Sequence, residues 1–431
     1  MNLGTLKPWI SRLGQNSTAR NTLWMLLGMG VRLLLQAVYF VIIARALGAE
    51  EYGAFVGVTA LVGIIAPFAS WGSGHILVKR VSRNRDLFNV YWGNALFMIL
   101  ISGLVLIVLV QLGAKAVLPG TIPPLLIFIV SVTDLLFARI LDTAGQAFQA
   151  VHLLNRTAQL NVLLSLTRLI AALSLISFFQ NPGLLVWTFL YLLSTAVSAL
   201  IAVLLVQRML GSPKLQISLI EPEIAQGFYF SVGLSAQTIY NDIDKMMLAR
   251  LATLKATGIY AAAYRLIDVA FVPMRSLVLS TYPNFFKHGA TGISGTVRYA
   301  KRLLLVGVAY GVAAGAGIFF LAPIVPYVLG DEYTNAVEAL RWLALLPLLK
   351  SIHYLGANTL TGADLQEFRT SVQAIVAVFN VLINLWVIPL YSWRGAAWSS
   401  IASDSLLLVG LWGIVGFKCW KQRSLNHKGL V

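Results

Sequence analysis

Eight basic side chains lie inside stretches of sequence that are otherwise apolar: Arg32, Arg139, Arg168, Lys245, Arg265, Arg275, Arg341 and Lys350. The same stretches contain six acidic side chains: Asp134, Asp142, Asp242, Asp244, Asp268 and Asp404. Pairing each acid with one base would therefore leave two basic side chains without a counter-ion. Six of the eight bases are arginine, whose planar group can donate two parallel hydrogen bonds to a phosphate. This excess favours an anionic ligand such as a lipid-linked phosphate or pyrophosphate.

The polar residues concentrate in three stretches. In the first, Arg32, Gln36 and Tyr39 have the spacing of one helix face. The second contains Asp242, Asp244 and Lys245, and the third contains Tyr264, Arg265, Asp268 and Arg275. A charged side chain in the bilayer costs about 2.5–3.5 kcal/mol, so these side chains should face a water-filled cavity or a partner. We predict that the substrate is bound by Arg32, Lys245, Arg265 and Arg275; an interhelical salt bridge is the alternative for Arg32 and Arg265.

Two roles are open to Asp242, Asp244 and Asp268, the acids beside these bases. A buried carboxylate can couple transport to H⁺ or Na⁺ by changing its protonation state or binding the ion. It can equally be a static counter-ion of the adjacent base. We favour the static role.

The other charged and metal-binding residue types have local explanations. Arg139 and Asp142 are three residues apart, which predicts an ion pair near the end of a helix. Arg341 and Lys350 either face the cavity or extend to the membrane interface. The five histidines are dispersed and Cys419 is the one cysteine, so the sequence predicts no metal site and no intramolecular disulfide.

The elements that position these residues are predicted membrane helices. Of the 431 residues, 58% are hydrophobic and 11% are charged, and the mean hydropathy is +0.80. A helix needs about 20 apolar residues to cross a bilayer. Twelve apolar segments fit: 21–44, 54–75, 90–112, 121–142, 159–180, 184–207, 226–250, 258–281, 301–327, 335–359, 370–390 and 395–417. The predicted fold is an all-α integral membrane protein, and the connections leave no room for a nucleotide-binding domain.

Lysine and arginine are distributed unevenly between alternate connections. Nineteen fall on the side of the N-terminus and five on the opposite side. The positive-inside rule therefore places both termini and the 76–89 and 283–300 loops in the cytoplasm. The net charge of +16 is explained by this topology, so we predict no nucleic-acid partner.

An internal repeat divides the chain into two halves. Ala44-Arg45, Gly53 and Phe55 match Ala249-Arg250, Gly258 and Tyr260 at an offset of 205 residues. Six spans intervene, so the halves should be related by a pseudo-two-fold axis along the membrane normal.

The predicted parts are an amphipathic cytoplasmic segment at 1–20, six-helix bundles at 21–208 and 226–417, a cytoplasmic linker at 209–225, and a basic cytoplasmic tail at 418–431. A disordered basic tail is the alternative for 1–20.

Three motifs carry a family resemblance. Ala44 to Phe55 (ARALGAEEYGAF), Tyr240 to Lys245 (YNDIDK) and Gly258 to Leu266 (GIYAAAYRL) together resemble the polysaccharide-export (Wzx-type) flippases. These belong to the superfamily that also contains MATE drug exporters and lipid II flippases. The chain lacks the two extra spans typical of lipid II flippases.

The resemblance implies a transporter and not an enzyme. Its implied substrate is an undecaprenyl-pyrophosphate-linked oligosaccharide, such as an O-antigen repeat unit, moved from the cytoplasmic to the periplasmic leaflet of the bacterial inner membrane by alternating access. Membrane lipids and other polysaccharide assembly proteins are the implied partners. The family's cationic cavity residues match Arg32, Lys245 and Arg265.

Three other functions were weighed against this one. A multidrug/ion antiporter shares the fold, but cationic drugs favour an acidic cavity. A membrane-embedded polysaccharide polymerase or ligase needs a large external loop, and the predicted external loops are short. A scaffold subunit would not need eight basic residues inside the membrane.

Overall fold

The computed structural model describes residues 17–180, 182–290 and 292–428, with side chains from Gly30 to Gln422 apart from those at 221, 222 and 237. In these ranges the secondary structure is helical, without strands. The α-helices are α1 (Ser17–Ser70), α2 (Ser73–Val81), α3 (Phe88–Val117), α4 (Pro124–Val132), α5 (Ala138–Ala150), α6 (Leu154–Phe178), α7 (Leu184–Met209), α8 (Glu221–Leu251), α9 (Leu254–Gly289), α10 (Ile293–Leu321), α11 (Val325–Leu329), α12 (Thr334–Leu343), α13 (Leu346–Gly362), α14 (Gln366–Tyr391) and α15 (Trp393–Lys428).

Eight helical stretches of the described residues are long and apolar enough to cross a membrane. One of them, Gly30–Ser70, contains most of the first two predicted segments. The predicted segments at 226–250, 258–281 and 335–359 are helical but are not among the eight. The first two of these carry several charged residues, and the third is divided between α12 and α13. An all-α membrane protein is confirmed, while the number of twelve spans stays a prediction.

The chain forms two compact units. Unit 1 contains the residues up to Leu47 and Val58–Thr238, and unit 2 contains Gly48–Gly57 and the residues from Ile239 onward. The boundary after Thr238 falls inside α8, whereas the linker was predicted at 209–225. Between α7 and α8 the chain has only 210–220 outside α-helix, and Ile217–Leu219 of this stretch forms a 3-10 turn.

Each unit has its own apolar core. Leu77, Trp92 and Phe148 are fully buried in unit 1, and Phe271 and Leu355 are fully buried in unit 2. Large apolar side chains also cover the outside of both units, including Leu112, Phe178, Leu305 and Phe320, each more than 70% exposed. An apolar exterior of this kind is stable in lipid and would aggregate in water.

Gly48 divides α1 into two helices. Its φ of 71° and ψ of 175° lie outside the helical region, and a Cβ atom there would stand 2.6 Å from a Glu332 carboxylate oxygen. The next backbone amide, that of Ala49, donates a hydrogen bond of 2.8 Å to Glu332. The break is therefore fixed by a carboxylate from a distant part of unit 2, and it separates the first two predicted spans.

The two copies of the sequence repeat pack against each other within unit 2. A Cβ atom on Gly53 would lie 1.8 Å from the Leu254 carbonyl oxygen, and one on Gly258 would lie 1.9 Å from the Ala49 carbonyl oxygen. Ala49 and Leu254, like Gly53 and Gly258, are 205 residues apart. The contact is thus reciprocal, and each glycine allows the partner backbone to approach.

Some predicted boundaries differ from the structure or lie outside it. The 283–300 loop is mostly helical, because α9 continues to Gly289 and α10 begins at Ile293. Hydropathy detects only the apolar part of a helix, and both helices extend beyond it. Of the predicted amphipathic segment at 1–20, residues 1–16 lie outside the described residues, as do 429–431 of the predicted tail.

Candidate substrate-binding site

Lys245 on α8 lies in a buried ionic cluster of unit 2. Its side chain is 11% exposed, and its ammonium nitrogen lies 2.5 Å from an Asp242 carboxylate oxygen. The same nitrogen donates a hydrogen bond of 3.1 Å to the Asn241 carbonyl oxygen. One helical turn supplies both acceptors, so this part of the cluster follows from sequence spacing. The Asp242 side chain is 39% exposed, so that side of the ion pair is only partly covered by the protein.

Tyr264 on α9 joins Lys245 to a second lysine, Lys350 on α13. The two ammonium nitrogens lie 4.5 and 4.6 Å from the centroid of the tyrosine ring. Lys350 is buried, donates a hydrogen bond of 2.9 Å to the Tyr264 hydroxyl, and lies 3.9 Å from an Asp268 carboxylate oxygen. Of its two predicted positions, Lys350 therefore occupies the buried one and does not extend to the interface.

Asp244 is held more firmly than Asp242. It is 4% exposed, and its carboxylate accepts hydrogen bonds from the Tyr260 hydroxyl and, at 2.8 Å, from the Lys245 backbone amide. The Ser400 hydroxyl lies 3.5 Å from the same carboxylate. These contacts fix Asp244 in place.

A second set of buried polar residues in unit 2 lies on α8, α13, α14 and α15, and of these the sequence analysis named Asp404 but none of its contacts. Asp404 is 2% exposed, lies 3.0 Å from the His353 imidazole and accepts a hydrogen bond from the Tyr240 hydroxyl. Asn380 and Asn384 are hydrogen-bonded to each other at 3.0 Å and are buried on one face of α14. Their spacing of four residues within an apolar helix was the available signal.

The two predicted arginines of α9 occupy different environments. Arg265 is half-buried and follows Tyr264 directly. Arg275 is exposed, and its guanidinium carbon lies 6.0 Å from the centroid of the Phe271 ring. Arg275 is almost three turns of helix beyond Arg265, about 15 Å along the axis. Arg275 is therefore placed at a distance from the lysine pair along α9.

In unit 1, Arg32 is half-buried and donates a hydrogen bond of 3.3 Å to the Asn161 side-chain oxygen. Asn161 is therefore a polar neighbour of Arg32 that the sequence analysis did not select.

The local ion pair predicted between Arg139 and Asp142 is confirmed, with a distance of 2.9 Å.

Arg168 belongs to a relay across three segments of unit 1. It donates a hydrogen bond of 3.0 Å to the Tyr191 hydroxyl, which donates one of 2.8 Å to Asp134. Asp134 lies in a π-helical turn, Thr133–Phe137, between α4 and α5. Such turns often occur at functional sites, and this one brings a carboxylate within reach of Tyr191.

The structure thus brings four of the seven predicted site residues into one cluster of unit 2, Lys245, Asp242, Asp244 and Asp268, and adds Lys350 to them. Arg32 belongs to the other unit. In this cluster the lysines are already paired with carboxylates, so an anion would bind by displacing or joining a carboxylate. Among the described residues no group of three or more His, Cys, Asp or Glu could hold a metal ion.

A family model described as "Polysaccharide biosynthesis protein" matches residues 18–288, more than half of the chain. The chain belongs to the polysaccharide biosynthesis protein family. All seven predicted site residues lie in the matched range, whereas Lys350 and Asp404 lie beyond it. The family resemblance predicted from the three motifs is confirmed.

One curated relative of this polysaccharide biosynthesis protein is the probable low-salt glycan biosynthesis flippase Agl15 of Haloferax volcanii. The two are 23% identical over 384 residues, which cover 85% of this chain and 76% of the relative. The fold is similar to an inward-facing MATE family multidrug resistance transporter of the MOP superfamily, with a TM-score of 0.73, 16% identity, and coverage of 92% of this chain and 99% of the other.

A second similar structure is the lipid II flippase MurJ in an inward closed conformation. Its TM-score is 0.75 at 11% identity, with coverage of 91% of this chain and 87% of MurJ. These relatives are flippases or transporters, which agrees with the expectation of a transporter and not an enzyme. The polysaccharide biosynthesis protein therefore has a membrane transporter fold.

Proposed function

We propose that the protein is a flippase that moves an undecaprenyl-pyrophosphate-linked oligosaccharide from the cytoplasmic to the periplasmic leaflet of a bacterial inner membrane. Support comes from membership of the polysaccharide biosynthesis protein family and from the glycan flippase relative. The observation that carries the proposal is the buried lysine pair around Tyr264. Burying a cation in a membrane protein costs free energy, and such residues therefore usually have a function such as binding the substrate.

Binding would proceed by exchange of counter-ions. The exposed side of Asp242 makes it the partner of Lys245 that a pyrophosphate can most readily displace or join. Arg265, which directly follows Tyr264, is the arginine proposed to contact the same anionic group, since guanidinium suits phosphate geometry. Arg32 and Arg275 are proposed to contact the anionic group at other stages of its passage. Release of the lipid-linked pyrophosphate into the periplasmic leaflet restores the protein's own ion pairs.

Transport would use alternating access of two six-helix bundles, with twelve spans and both termini in the cytoplasm. The reciprocal packing of Gly53 and Gly258 supports a pseudo-two-fold relation between the halves. The unequal distribution of lysine and arginine supports the orientation.

For the carboxylates we propose a static role. The three hydrogen-bonding groups around Asp244 support it, since a fixed carboxylate stabilises the adjacent lysine in every state. Asp242→Asn and Asp268→Asn should then leave the dependence of transport on H⁺ or Na⁺ gradients unchanged. Transport that persists but no longer depends on the gradient would show that these residues couple to the ion.

The test is deletion of the gene followed by location of the lipid-linked oligosaccharide. A flippase predicts that the oligosaccharide accumulates on the cytoplasmic leaflet and that surface polysaccharide is lost. A drug/ion antiporter predicts an unchanged lipid distribution and raised drug sensitivity. An unchanged distribution in a strain with no second flippase of this family would reject the proposal.

A further inference from the structure

A cavity of about 390 Å³ lies within unit 1, apart from the lysine cluster of unit 2. Its walls come from the end of α1, from α2, from α5, from the start of α6 and from Leu234 on α8. Ligand pockets in proteins usually have volumes of about 300–1,000 Å³. The cavity is therefore large enough for a small organic group.

The polar side chains on its walls are mostly uncharged amides and hydroxyls. Gln146, Gln149 and Asn161 contribute amides, and Thr143 and Thr157 contribute hydroxyls. An amide presents two donors and an acceptor oxygen in one plane. This combination matches adjacent hydroxyl groups, each of which both donates and accepts a hydrogen bond.

The charges on the walls are balanced. Arg139 and Asp142 both line the cavity and form an ion pair of 2.9 Å with each other. The pair offers hydrogen-bond donors and acceptors. Because its two charges are opposite, it does not attract an anion. A neutral, hydroxyl-rich ligand suits these walls better than a pyrophosphate does.

One buried polar group of the walls lacks a protein partner in the part of the chain that the structure describes. This group is Arg139 Nε, which has no hydrogen-bond acceptor there. Buried polar groups are generally paired, so such groups indicate a ligand or water. Gln146, in contrast, lies 3.4 Å from the His75 ring, which is stacked on Phe230.

We propose that this cavity binds a sugar residue of the lipid-linked oligosaccharide, so that glycan and pyrophosphate are recognised by different sites. The inference rests on the proposed function. Under the proposed topology His75 ends the second span at the cytoplasmic side, so the sugar site faces the compartment in which the substrate is assembled. Arg32, one of the predicted anion-binding residues, donates a hydrogen bond to Asn161, which lines the cavity.

The test uses two probes: the undecaprenyl-pyrophosphate-linked oligosaccharide purified from a strain lacking the gene, and the undecaprenyl pyrophosphate that remains after mild acid releases its sugars. In a Cys419→Ser background, Gln149→Cys introduces a thiol on the cavity wall. Ser82→Cys provides a matched control in the exposed turn that follows α2. Maleimide labelling of each purified variant is measured with either probe.

The expected result is that the intact lipid slows labelling at Gln149→Cys, whereas undecaprenyl pyrophosphate does not, and that neither affects Ser82→Cys. In binding assays, Gln149→Ala should weaken affinity for the intact lipid about three- to tenfold, the value of one hydrogen bond, and leave affinity for undecaprenyl pyrophosphate unchanged. Equal labelling with both probes, while the wild-type protein binds the intact lipid, would overturn the sugar site alone. Failure of the wild-type protein to bind either probe would overturn the proposed function and the sugar site with it.

Discussion

Asp242 and Asp244 flank the same lysine but differ in burial, and this difference predicts their roles. The Asp242 side chain is 39% exposed, whereas Asp244 is 4% exposed and accepts a hydrogen bond from Tyr260. Loss of Asp242 still leaves the Lys245 ammonium its hydrogen bond to the Asn241 carbonyl oxygen. Loss of Asp244 leaves the buried Tyr260 hydroxyl and the Lys245 backbone amide without this acceptor, which costs about 1–3 kcal/mol for each group.

We therefore expect Asp244→Ala to lower the thermal unfolding temperature and the amount of folded protein in the membrane, and Asp242→Ala to lower both by less. The measurement is fluorescence size-exclusion chromatography of each variant after heating. Equal losses for the two variants would contradict the difference in burial as their cause.

Arg32 and Arg265 should be required for transport and not for folding. Their replacement by Ala should abolish surface polysaccharide while membrane abundance stays near wild type, because removing a charge lowers the cost of insertion. Lys at either position should restore export only in part, since it keeps the charge and loses the bidentate geometry.

Surface polysaccharide and the abundance of the protein in the membrane must both be measured for each arginine variant. A structural ion pair would cost about 3–5 kcal/mol when one partner is removed, so abundance and export would fall together. Recovery of both after a second change, such as Asp268→Asn, would assign Arg265 to the structural role.

The sequence is enough to place the lysine and carboxylates of α8 next to one another. It does not identify the residues of other helices that contact them. Asp242 and Lys245 are one helical turn apart, so local spacing suffices to pair them. Lys350 lies 105 residues further on, and only tertiary packing brings it to Tyr264. The contacts of Asp404 were missed for the same reason.

At the scale of elements, the kink in α1 and the glycine contact form one feature. Gly48 ends the first helical part, and Gly53 then packs against α9 within unit 2. The sequence repeat at an offset of 205 identified these glycines. Their contact with each other needed the fold, because a repeat alone does not state which surfaces meet.

Gly53→Ala and Gly258→Ala should destabilise the protein to a similar degree. Each added Cβ atom would come within 2 Å of a backbone oxygen on the other element, 1.8 Å and 1.9 Å respectively, so the helices must separate. We expect a loss of several degrees in the unfolding temperature. Gly317→Ala is the matched control, because no atom lies within 4 Å of its added Cβ, and it should be neutral or slightly stabilising. A large effect for only one of the two contact glycines would argue against reciprocal packing.

At the scale of the whole molecule, the orientation in the membrane decides which side each site faces. In a Cys419→Ser background, Asp331→Cys in the 328–334 connection should react with a membrane-impermeant maleimide added outside spheroplasts. Ser82→Cys should react only after the membrane is permeabilised, because the proposed topology places it in the cytoplasm. The reverse pattern would invert the topology, and with it the proposed direction of transport.

The most direct test of the account is transport by the purified protein alone. Proteoliposomes would carry undecaprenyl-pyrophosphate-linked oligosaccharide in both leaflets, and an added glycosidase would cleave only the outer pool. Wild-type protein should bring the whole pool within reach of the glycosidase, whereas protein-free liposomes and Arg265→Ala proteoliposomes should stop at the outer half. Cleavage that stops at the outer half with folded wild-type protein, with or without an imposed H⁺ or Na⁺ gradient, would contradict the flippase function.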